Sequence, residues 1–417
     1  MPGCSPVPAD VERDGAVPID RDVFRLGVNY WPAEHAMGWL EAYDPAITRR
    51  DFGRARAAGL ECLRIFVRWA DVQPAEAVID AGALRHLVDA ADAAAEAGAA
   101  LIVTLFVGHM SGVNWAPVWA TGGHDGDRRF RVLTPGRRDG AAAPGLRNWY
   151  TDPAVGAAQE RLATAVASAL AGHAAVWMWD LGNENSNCTV PPDPAAGSAW
   201  LERMTAAIRT ADPGRPITVG LHMEDLEDDR RIGPAEVAKH CEVVSMHGYP
   251  PYTSWADGPT DDRLLPFLAL LTRWLAGGAE VLFEEFGLPT SGSPDTGPSW
   301  LVDEVSAAEY TGRALDGLRA AGCSGALLWC FADYASRLHR QPPFDEAHHE
   351  RTFGLWRSDG SAKPAVAEIT SRVGLRRANP PAELPWLDIS VDEFLADRRR
   401  QIARLYQTYC RPNLSQQ

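Results

Sequence analysis

Glutamates stand at the ends of two apolar segments of the chain, where they could act on one substrate bond. Glu184 closes the segment VWMWDLGNE (176–184), and Glu284 and Glu285 lie within VLFEEFG (281–287). Paired carboxyl groups can cleave a bond between them, because one donates a proton to the leaving oxygen while the other attacks the carbon or activates water. Carboxylates about 5–5.5 Å apart permit the direct attack, which retains configuration. This chemistry depends on the elements that bring the two segments together.

Strand-like and helix-like segments alternate along most of the chain. Continuous apolar runs such as ALIVTLFV (100–107) are typical of strands buried in a parallel sheet, and residues 83–98 have apolar side chains at helical spacing before a closing Gly98. The eight predicted strands cover residues 24–30, 60–67, 100–107, 176–182, 216–222, 241–249, 281–287 and 325–331. Strands that alternate with helices in this number predict an α/β fold, the (β/α)8 TIM barrel.

The barrel is predicted to form a single domain over residues 21–375, with long loops after its third and eighth strands. Residues 1–20 are rich in Pro, Asp and Gly and are expected to form a loose leader. Residues 376–417 begin Pro-rich and end in a helix, and we expect this extension to pack on the barrel. The loop over 108–150 contains several tryptophans, and loops of that length are often functional.

A barrel of this kind carries its active site at the C-terminal ends of the strands. Glu184 follows the fourth predicted strand and Glu285 ends the seventh, so their side chains could face each other across the mouth of the barrel. Polar and aromatic residues near the ends of other strands could line the same opening. These residues are Arg64, His109, Asn183, His247, Tyr249 and Trp329.

The motifs around these positions resemble those of glycoside hydrolase family 5, a member of the large clan of retaining (β/α)8-barrel glycosidases. GNE at 182–184 is similar to the acid/base motif of the clan, and EFG at 285–287 is similar to its nucleophile motif. The resemblance covers roughly residues 24–375, including the segment FGLWRSDGSAKPAV (353–366). The family's eight site residues have counterparts here in the expected order: Arg64, His109, Asn183, Glu184, His247, Tyr249, Glu285 and Trp329.

The resemblance implies a role for each of the central residues. Glu184 is expected to act as general acid and then general base, and Glu285 as the nucleophile that forms a glycosyl-enzyme. Asn183 is expected to bond the sugar 2-hydroxyl, and Trp329 to form the floor on which the sugar stacks. Arg64 and Tyr249 are expected to hold Glu285 ionised, since a nearby cation lowers the pKa of a carboxyl group while burial raises it.

Neighbouring residues compete for two of these assignments. Alternation along a strand places Glu284 and Glu285 on opposite sides of the sheet. The EFG match favours Glu285, and Glu284 is then expected to pair with a basic group behind the sheet. Arg68 competes with Arg64, but the spacing to Trp69 favours Arg64.

The remaining aromatic and histidine residues allow weaker predictions. Trp177, Trp179 and Trp274 are expected to be core residues, and the candidate sugar platforms are Trp31, Trp115, Trp119 and Trp255. The run His348-His349-Glu350 could suggest a metal site, but adjacent residues rarely chelate one ion and no third ligand is evident. We therefore expect neither a metal nor a cofactor.

Composition narrows the classes of partner and compartment. The formal net charge is −15, which disfavours nucleic acid and anionic membranes and suits a neutral sugar. No apolar run approaches the roughly 20 residues that span a bilayer, and the N-terminus has no signal-peptide pattern. The seven cysteines are scattered singly, which favours a reducing cytoplasm. The oligomeric state is left open.

The substrate is predicted from resemblance alone. The opening GVNYWP (27–32) and the C-terminal helix are similar to an intracellular, exo-acting branch of family 5, subfamily 18. That branch implies β-mannosidase activity on short β-1,4-linked oligosaccharides such as Man-β-1,4-GlcNAc. Three alternatives stay open: an endo-β-1,4-mannanase or β-glucanase, a β-galactosidase or β-glucosidase of the same clan, and a non-catalytic glycan-binding barrel. The last would require loss of a carboxylate, and both are present.

Overall fold

A closed barrel of eight parallel strands forms the centre of the molecule and confirms the predicted (β/α)8 fold. The computed structural model describes residues 22–123, 129–135, 145–291 and 301–411, so the predicted leader over 1–20 lies outside the described residues. The barrel strands are β1 (Arg25–Asn29), β2 (Cys62–Arg68), β3 (Ala100–Val107), β4 (Val176–Asn183), β5 (Ile217–Leu221), β6 (Val244–His247), β7 (Val281–Phe286) and β8 (Gly325–Leu328). β1 pairs with both β2 and β8, which closes the barrel.

Helices cover the outside of the barrel and connect its strands. They are α1 (Pro45–Ala57), α2 (Ala81–Ala97), α3 (Pro153–Ala169), α4 (Pro194–Ala211), α5 (Pro234–His240), α6 (Leu264–Leu275), α7 (Glu304–Ala320), α8 (Ala365–Thr370), α9 (Val391–Ala396) and α10 (Arg398–Tyr409), with the short helices Trp69–Val72 and Met223–Glu227 after β2 and β5. Aspartates at 44, 152 and 193 cap α1, α3 and α4, each followed directly by proline. None of the described helices is long and apolar enough to cross a membrane.

The interior of the barrel changes from apolar to polar or charged within two residues along several strands. Side chains that include Cys62, Ile102 and Leu282 form a fully buried apolar cluster inside the barrel. Two residues further along the same strands come Arg64, Thr104 and Glu284, because strand side chains alternate with a period of two. The charged layer thus lies on the C-terminal side of the apolar layer, towards the mouth where the site is expected.

The C-terminal extension packs against the outer surface of α6. Phe267 of α6 contacts the rings of Trp386 and Tyr406, with centroids 5.1 Å away in both cases. The hydroxyl group of Tyr406 donates a hydrogen bond to Asp261, which precedes α6. Trp255 also joins this cluster, since its ring lies 5.1 Å from that of Tyr406. The extension therefore supports the segment that follows β6.

The long loop after β3 contains a small sheet that the sequence does not reveal. Its strands are His109–Met110, Val113–Trp115 and Arg131–Leu133. The first two pair antiparallel and the last two pair parallel. Pairing of this kind fixes the loop across part of the barrel mouth.

Candidate active site

A strained turn at the end of β4 presents Glu184. Gly182 has φ 135°, and a Cβ there would collide with the side chain of Asn185. Glu184 itself adopts a left-handed conformation with φ 49° and ψ 49°. A non-glycine residue in that region costs roughly 1–3 kcal/mol and is found mostly where function requires it. The glycine of the GNE motif therefore permits the turn that aims Glu184 into the mouth.

A β-bulge in β7 presents Glu285. Phe283 pairs with Met246 and Glu285 pairs with His247, so Glu284 is the extra residue between two consecutive positions of β6. The bulge turns Glu285 to the same interior that Glu284 faces. The Glu285 carboxylate accepts a hydrogen bond from the Tyr249 hydroxyl at 2.5 Å and one from the Arg64 guanidinium at 3.1 Å.

The two candidate catalytic carboxylates lie close together across the mouth. One side-chain atom from each of Glu184, His247 and Glu285 lies within 4.8 Å of the other two. His247 stands between the carboxylates, with its Nδ1 3.0 Å from Glu184 Oε1 and 3.7 Å from Glu285 Oε2. The 4.8 Å limit for one oxygen of Glu184 and one of Glu285 is close to the roughly 5–5.5 Å between the carboxyl groups of retaining glycosidases.

Arg64 is fully buried among three carboxylates. Its guanidinium lies 2.7 Å from Asp180, 3.1 Å from Glu285 and 3.3 Å from Glu284. Glu284 does pair with a basic group, Arg64, as predicted, but the predicted position behind the sheet is wrong, because the bulge places both glutamates inside the barrel. Glu284 is 0% exposed, whereas the Glu285 side chain keeps 7% exposure at the mouth. Arg68 pairs instead with Asp71 and Glu41.

Asn183 and His109 lie beside Glu184. The Asn183 amide group donates to the carbonyl oxygen of His109 at 2.9 Å. Its Oδ1 is buried and accepts no hydrogen bond from the described part of the chain. A buried acceptor without a donor is costly, and a sugar hydroxyl is a suitable donor. His109 Nε2 lies 3.8 Å from Glu184, and its Nδ1 bonds Asn114 at 2.8 Å.

Burial and neighbouring charges order the protons of this cluster. Burial raises the pKa of Glu285, and the adjacent Glu184 raises it further, against the lowering by His247 and Arg64. Burial also raises the pKa of Glu184, but His222 and His247 outweigh it and hold that pKa below its usual value. The pKa of His247 is raised to about 10: burial opposes the rise, and Glu285 together with the hydrogen bond to Glu184 outweighs it.

This order of pKa values is opposite to the one that the resemblance implies for the acid and the nucleophile. The physical reason is the position of His247, which is closer to Glu184 than to Glu285, together with the deeper burial of Glu285. In the free protein the imidazole of His247 therefore carries the proton that an acid at Glu184 would need.

Trp329 and Glu350 form the opposite side of the site. The Trp329 indole N–H donates to Glu350 Oε2 at 3.3 Å, and the Ser111 hydroxyl donates to the same oxygen at 3.0 Å. Gly287 of the EFG motif passes so close to Trp329 that a Cβ would collide with the Trp329 carbonyl oxygen. The glycine therefore allows the end of β7 to pass directly against the backbone of Trp329.

The four candidate sugar platforms occupy different environments. Trp31 is 0% exposed and stacks on Phe66 at 4.8 Å, so the prediction of a platform there is wrong. Trp255 bonds Glu227 and supports the extension, and Trp119 bonds the Gln73 carbonyl group; both indoles are thereby tied to structural neighbours. Trp115 is 9% exposed and lies under the Arg68 guanidinium, which covers one of its faces.

Several side chains around the carboxylates were missed by sequence reasoning. Asn187 donates to Glu184 Oε2 at 3.0 Å, and His222, at the end of β5, bonds Ser186 at 2.9 Å. Asp180 accepts from the backbone N–H groups of Gly182 and Gly220, which fixes the turn before Glu184. The position of His222 at a strand end is the one signal that could have identified it.

A TIM barrel with a close carboxylate pair at the C-terminal ends of two strands is the arrangement of a glycosidase. The family model described as "Cellulase (glycosyl hydrolase family 5)" matches residues 27–333. The chain belongs to glycosyl hydrolase family 5, and it is a glycosidase.

Solved structures similar to this chain include a complex with a β-mannoside and a named β-mannosidase. A GH5_18 protein (family 5, subfamily 18) from Streptomyces cattleya, in complex with Manβ1-4GlcNAc, is 25% identical with a TM-score of 0.72, and the match covers 87% of this chain and 83% of that one. An exo-β-1,4-mannosidase from Opitutaceae bacterium strain TAV5 is 26% identical with a TM-score of 0.69, over 84% of this chain and 59% of that one.

A curated relative matches a shorter part of this chain. A putative mannan endo-1,4-beta-mannosidase 5 from Oryza sativa subsp. japonica is 27% identical over 182 residues, which are 37% of this chain and 36% of the relative. The match therefore spans about a third of the length of that curated protein.

Proposed function

We propose that the protein is a retaining, exo-acting β-mannosidase that cleaves short β-1,4-linked oligosaccharides such as Man-β-1,4-GlcNAc. The observation that carries the retaining mechanism is the close approach of Glu184 and Glu285, whose side-chain oxygens lie within 4.8 Å. This distance is shorter than the roughly 6.5–9.5 Å between the carboxyl groups of inverting enzymes, which hold a water between them. Glu285 is the nucleophile in this proposal, and Glu184 is the acid/base.

The proposed reaction proceeds by two displacements. In the first, a Glu285 oxygen bonds the anomeric carbon while the glycosidic C–O bond breaks and the leaving oxygen takes a proton from Glu184. In the second, Glu184 takes a proton from water, the water oxygen bonds the anomeric carbon, and Glu285 leaves as a carboxylate. Asn183 Oδ1 accepts from the sugar 2-hydroxyl, a contact that strengthens in the transition state.

Contacts between the loops after β3 and β8 support the exo-acting part of the proposal. Ser111 bonds Glu350 at 3.0 Å, and Arg131 pairs with Asp345 at 2.9 Å. These bridges span the ends of β1 and β2, which lie between β3 and β8 in the barrel. A wall in that place closes one end of the cleft and leaves room for a terminal sugar rather than for a continuing polymer.

The proposed mannose specificity depends on similar proteins, and the proposed compartment depends on the state of the cysteines. The Streptomyces cattleya structure holds Manβ1-4GlcNAc, and the Opitutaceae relative is named as an exo-β-1,4-mannosidase. We place the activity in the cytoplasm because no disulfide bond forms among the described cysteines, which are Cys62, Cys188, Cys241, Cys323, Cys330 and Cys410. A cytoplasmic enzyme of this kind would trim short imported oligosaccharides.

A screen of aryl β-glycosides that differ only in the sugar tests the sugar specificity. We expect kcat/KM on the β-mannoside to exceed that on the β-glucoside and the β-galactoside by at least about 10- to 200-fold, the discrimination that a few pocket contacts provide. Mannose should be the first and only early product from β-1,4-mannotetraose. Early release of mannobiose would support the endo-mannanase instead, and preference for another sugar would replace the mannosidase.

Glu184, His247 and Glu285 also lie close enough together to hold a metal ion. Metal binding is therefore a second candidate function for this cluster. The raised pKa of His247, about 10, disfavours it because a protonated imidazole has no lone pair for a metal. Dialysis against a chelator should therefore leave kcat/KM unchanged. A loss that added Zn²⁺ or Mn²⁺ restores would contradict the carboxylate mechanism.

A further inference from the structure

Glu350 is a buried carboxylate that the two-displacement mechanism does not use. It lies in the loop after β8 and is 7% exposed. Its Oε2 accepts one hydrogen bond from the Ser111 hydroxyl and another from the Trp329 indole N–H. Oε1 lies 3.5 Å from His349 Nε2. A carboxylate offers about four acceptor positions, so Glu350 keeps capacity for further donors.

The surroundings of Glu350 place it beside the catalytic pair. Burial and the charges of Glu285 and Glu184 raise the pKa of Glu350 to about 7, against the lowering by hydrogen bonds from Ser111 and Trp329. Among the described residues, its hydrogen-bond and ion-pair partners include no arginine or lysine, whereas Glu284 and Asp180 face Arg64. A buried carboxylate without a strong cation is costly, and hydroxyl donors from a ligand would reduce that cost.

The position of Trp329 determines which end of a sugar would reach Glu350. The Trp329 backbone lies against β7, since its N–H donates to the Phe286 carbonyl oxygen at 2.7 Å. In the binding mode that we propose, a sugar stacked on this indole presents its anomeric carbon to Glu285. Its C3 and C4 hydroxyls then point away from the scissile bond, towards the wall that Ser111 and Glu350 form.

We infer that Glu350 is a specificity-determining residue that accepts hydrogen bonds from the C3 and C4 hydroxyls of the terminal, non-reducing sugar. This inference rests on the proposed glycosidase function of the site and adds to it. A chain extended at O4 lacks the C4 hydroxyl and meets the wall, so the same contact selects a chain end. Charged hydrogen bonds to a substrate hydroxyl discriminate strongly because their loss leaves a buried charge without a partner.

Deoxy substrates combined with a Glu350 variant test the inference. The wild-type protein is assayed with its best aryl β-glycoside and with the 3-deoxy and 4-deoxy analogues of that substrate. We expect the wild type to lose about 10- to 100-fold in kcat/KM for at least one analogue. Glu350→Gln should lose a similar factor on the parent substrate, while its penalty for that analogue falls to within about threefold.

Comparing the parent and deoxy substrates in both the wild type and Glu350→Gln distinguishes loss of hydroxyl recognition from a structural defect. A variant that is merely misfolded loses activity equally on the parent and the deoxy substrates. Asp359→Asn, at an exposed carboxylate further along the same segment, is the matched control and should behave as wild type. An unchanged deoxy penalty in Glu350→Gln would overturn the inference. If the variant fails to fold, wild-type indifference to both analogues overturns it instead.

The design also separates this inference from the proposed mannosidase activity. Because the parent substrate is whichever aryl β-glycoside the wild type cleaves best, a preference for glucose or galactose would overturn the mannose assignment and leave the Glu350 test intact.

Discussion

Glu284 and Glu285 are adjacent in sequence and share Arg64, yet they occupy different depths of the barrel. The bulge at Glu284 turns both side chains inward. Glu285 reaches the mouth, where Tyr249 donates to it, whereas Glu284 is sealed in the charged layer with Arg64 and, at 3.6 Å, His247. Glu285, the proposed nucleophile, therefore differs from Glu284 in its depth in the barrel and not in the side of the sheet that it faces.

Substitution of the two glutamates should separate these roles. Glu285→Gln removes the nucleophile, and kcat should fall by roughly 10⁴-fold or more. Glu284→Gln removes one of the carboxylates around Arg64 and leaves Asp180 and Glu285 in place, so kcat should fall by at most about 10-fold. Its main effect should be a loss of stability, measured by urea unfolding. Equal losses of kcat in the two variants would contradict the assignment.

His247 should control the protonation of Glu184. Its positive charge and hydrogen bond lower the pKa of Glu184, so replacement of His247 by Asn should raise that pKa. Glu184 and His247 share one proton, and the pair loses it at the raised pKa of His247, about 10, so the alkaline limb of kcat/KM lies at high pH in the wild type. Without His247 the proton is held by Glu184 alone, and the alkaline limb should move to lower pH. The pH profile of His247→Asn measures the shift, although its limbs belong to the coupled group as a whole.

His240→Asn is the matched control for this profile. His240 lies at the end of α5 and bonds Ser198 on α4, outside the barrel. Its replacement should leave both limbs in place. An alkaline limb that stays in place or moves to higher pH in His247→Asn would contradict the proposed role of the imidazole.

At the scale of elements, the extension stabilises the region that precedes α6. Tyr406 donates to the buried Asp261, so Tyr406→Phe leaves that carboxylate with one donor fewer. We expect the free energy of unfolding to fall by about 1–3 kcal/mol. Chemical unfolding measures it, with Tyr409→Phe as control because the Tyr409 ring packs on Phe267. Both variants keep their rings, so equal losses of free energy would contradict a specific contribution of the Tyr406 hydrogen bond.

Elements with long periodic patterns were predictable, and short or irregular ones were not. The eight strands and the helices such as α2 follow from apolar runs and helical spacing, and each occurs where predicted within a few residues. The bulge in β7 was missed because strict alternation assumes a regular strand. The small sheet after β3 was missed because strands of two or three residues depend on their partners rather than on local sequence.

At the scale of the whole molecule, the barrel gathers site residues that are far apart in sequence. The strand-end rule identified Arg64, Glu184 and Glu285 from sequence because their positions follow from the barrel alone. Glu350 could not be identified in this way, since its contact with Ser111 joins loops separated by 239 residues. Motifs thus predict the catalytic pair, while the side chains that define a pocket depend on loop packing.

The stereochemistry of hydrolysis tests the central claim, that Glu184 and Glu285 act by double displacement. Proton NMR can follow an activated aryl β-mannoside in the presence of enough enzyme to complete hydrolysis before mutarotation. The account predicts that β-mannose appears first and that α-mannose rises only later by mutarotation. Initial release of α-mannose would show a single inverting displacement and would contradict the account.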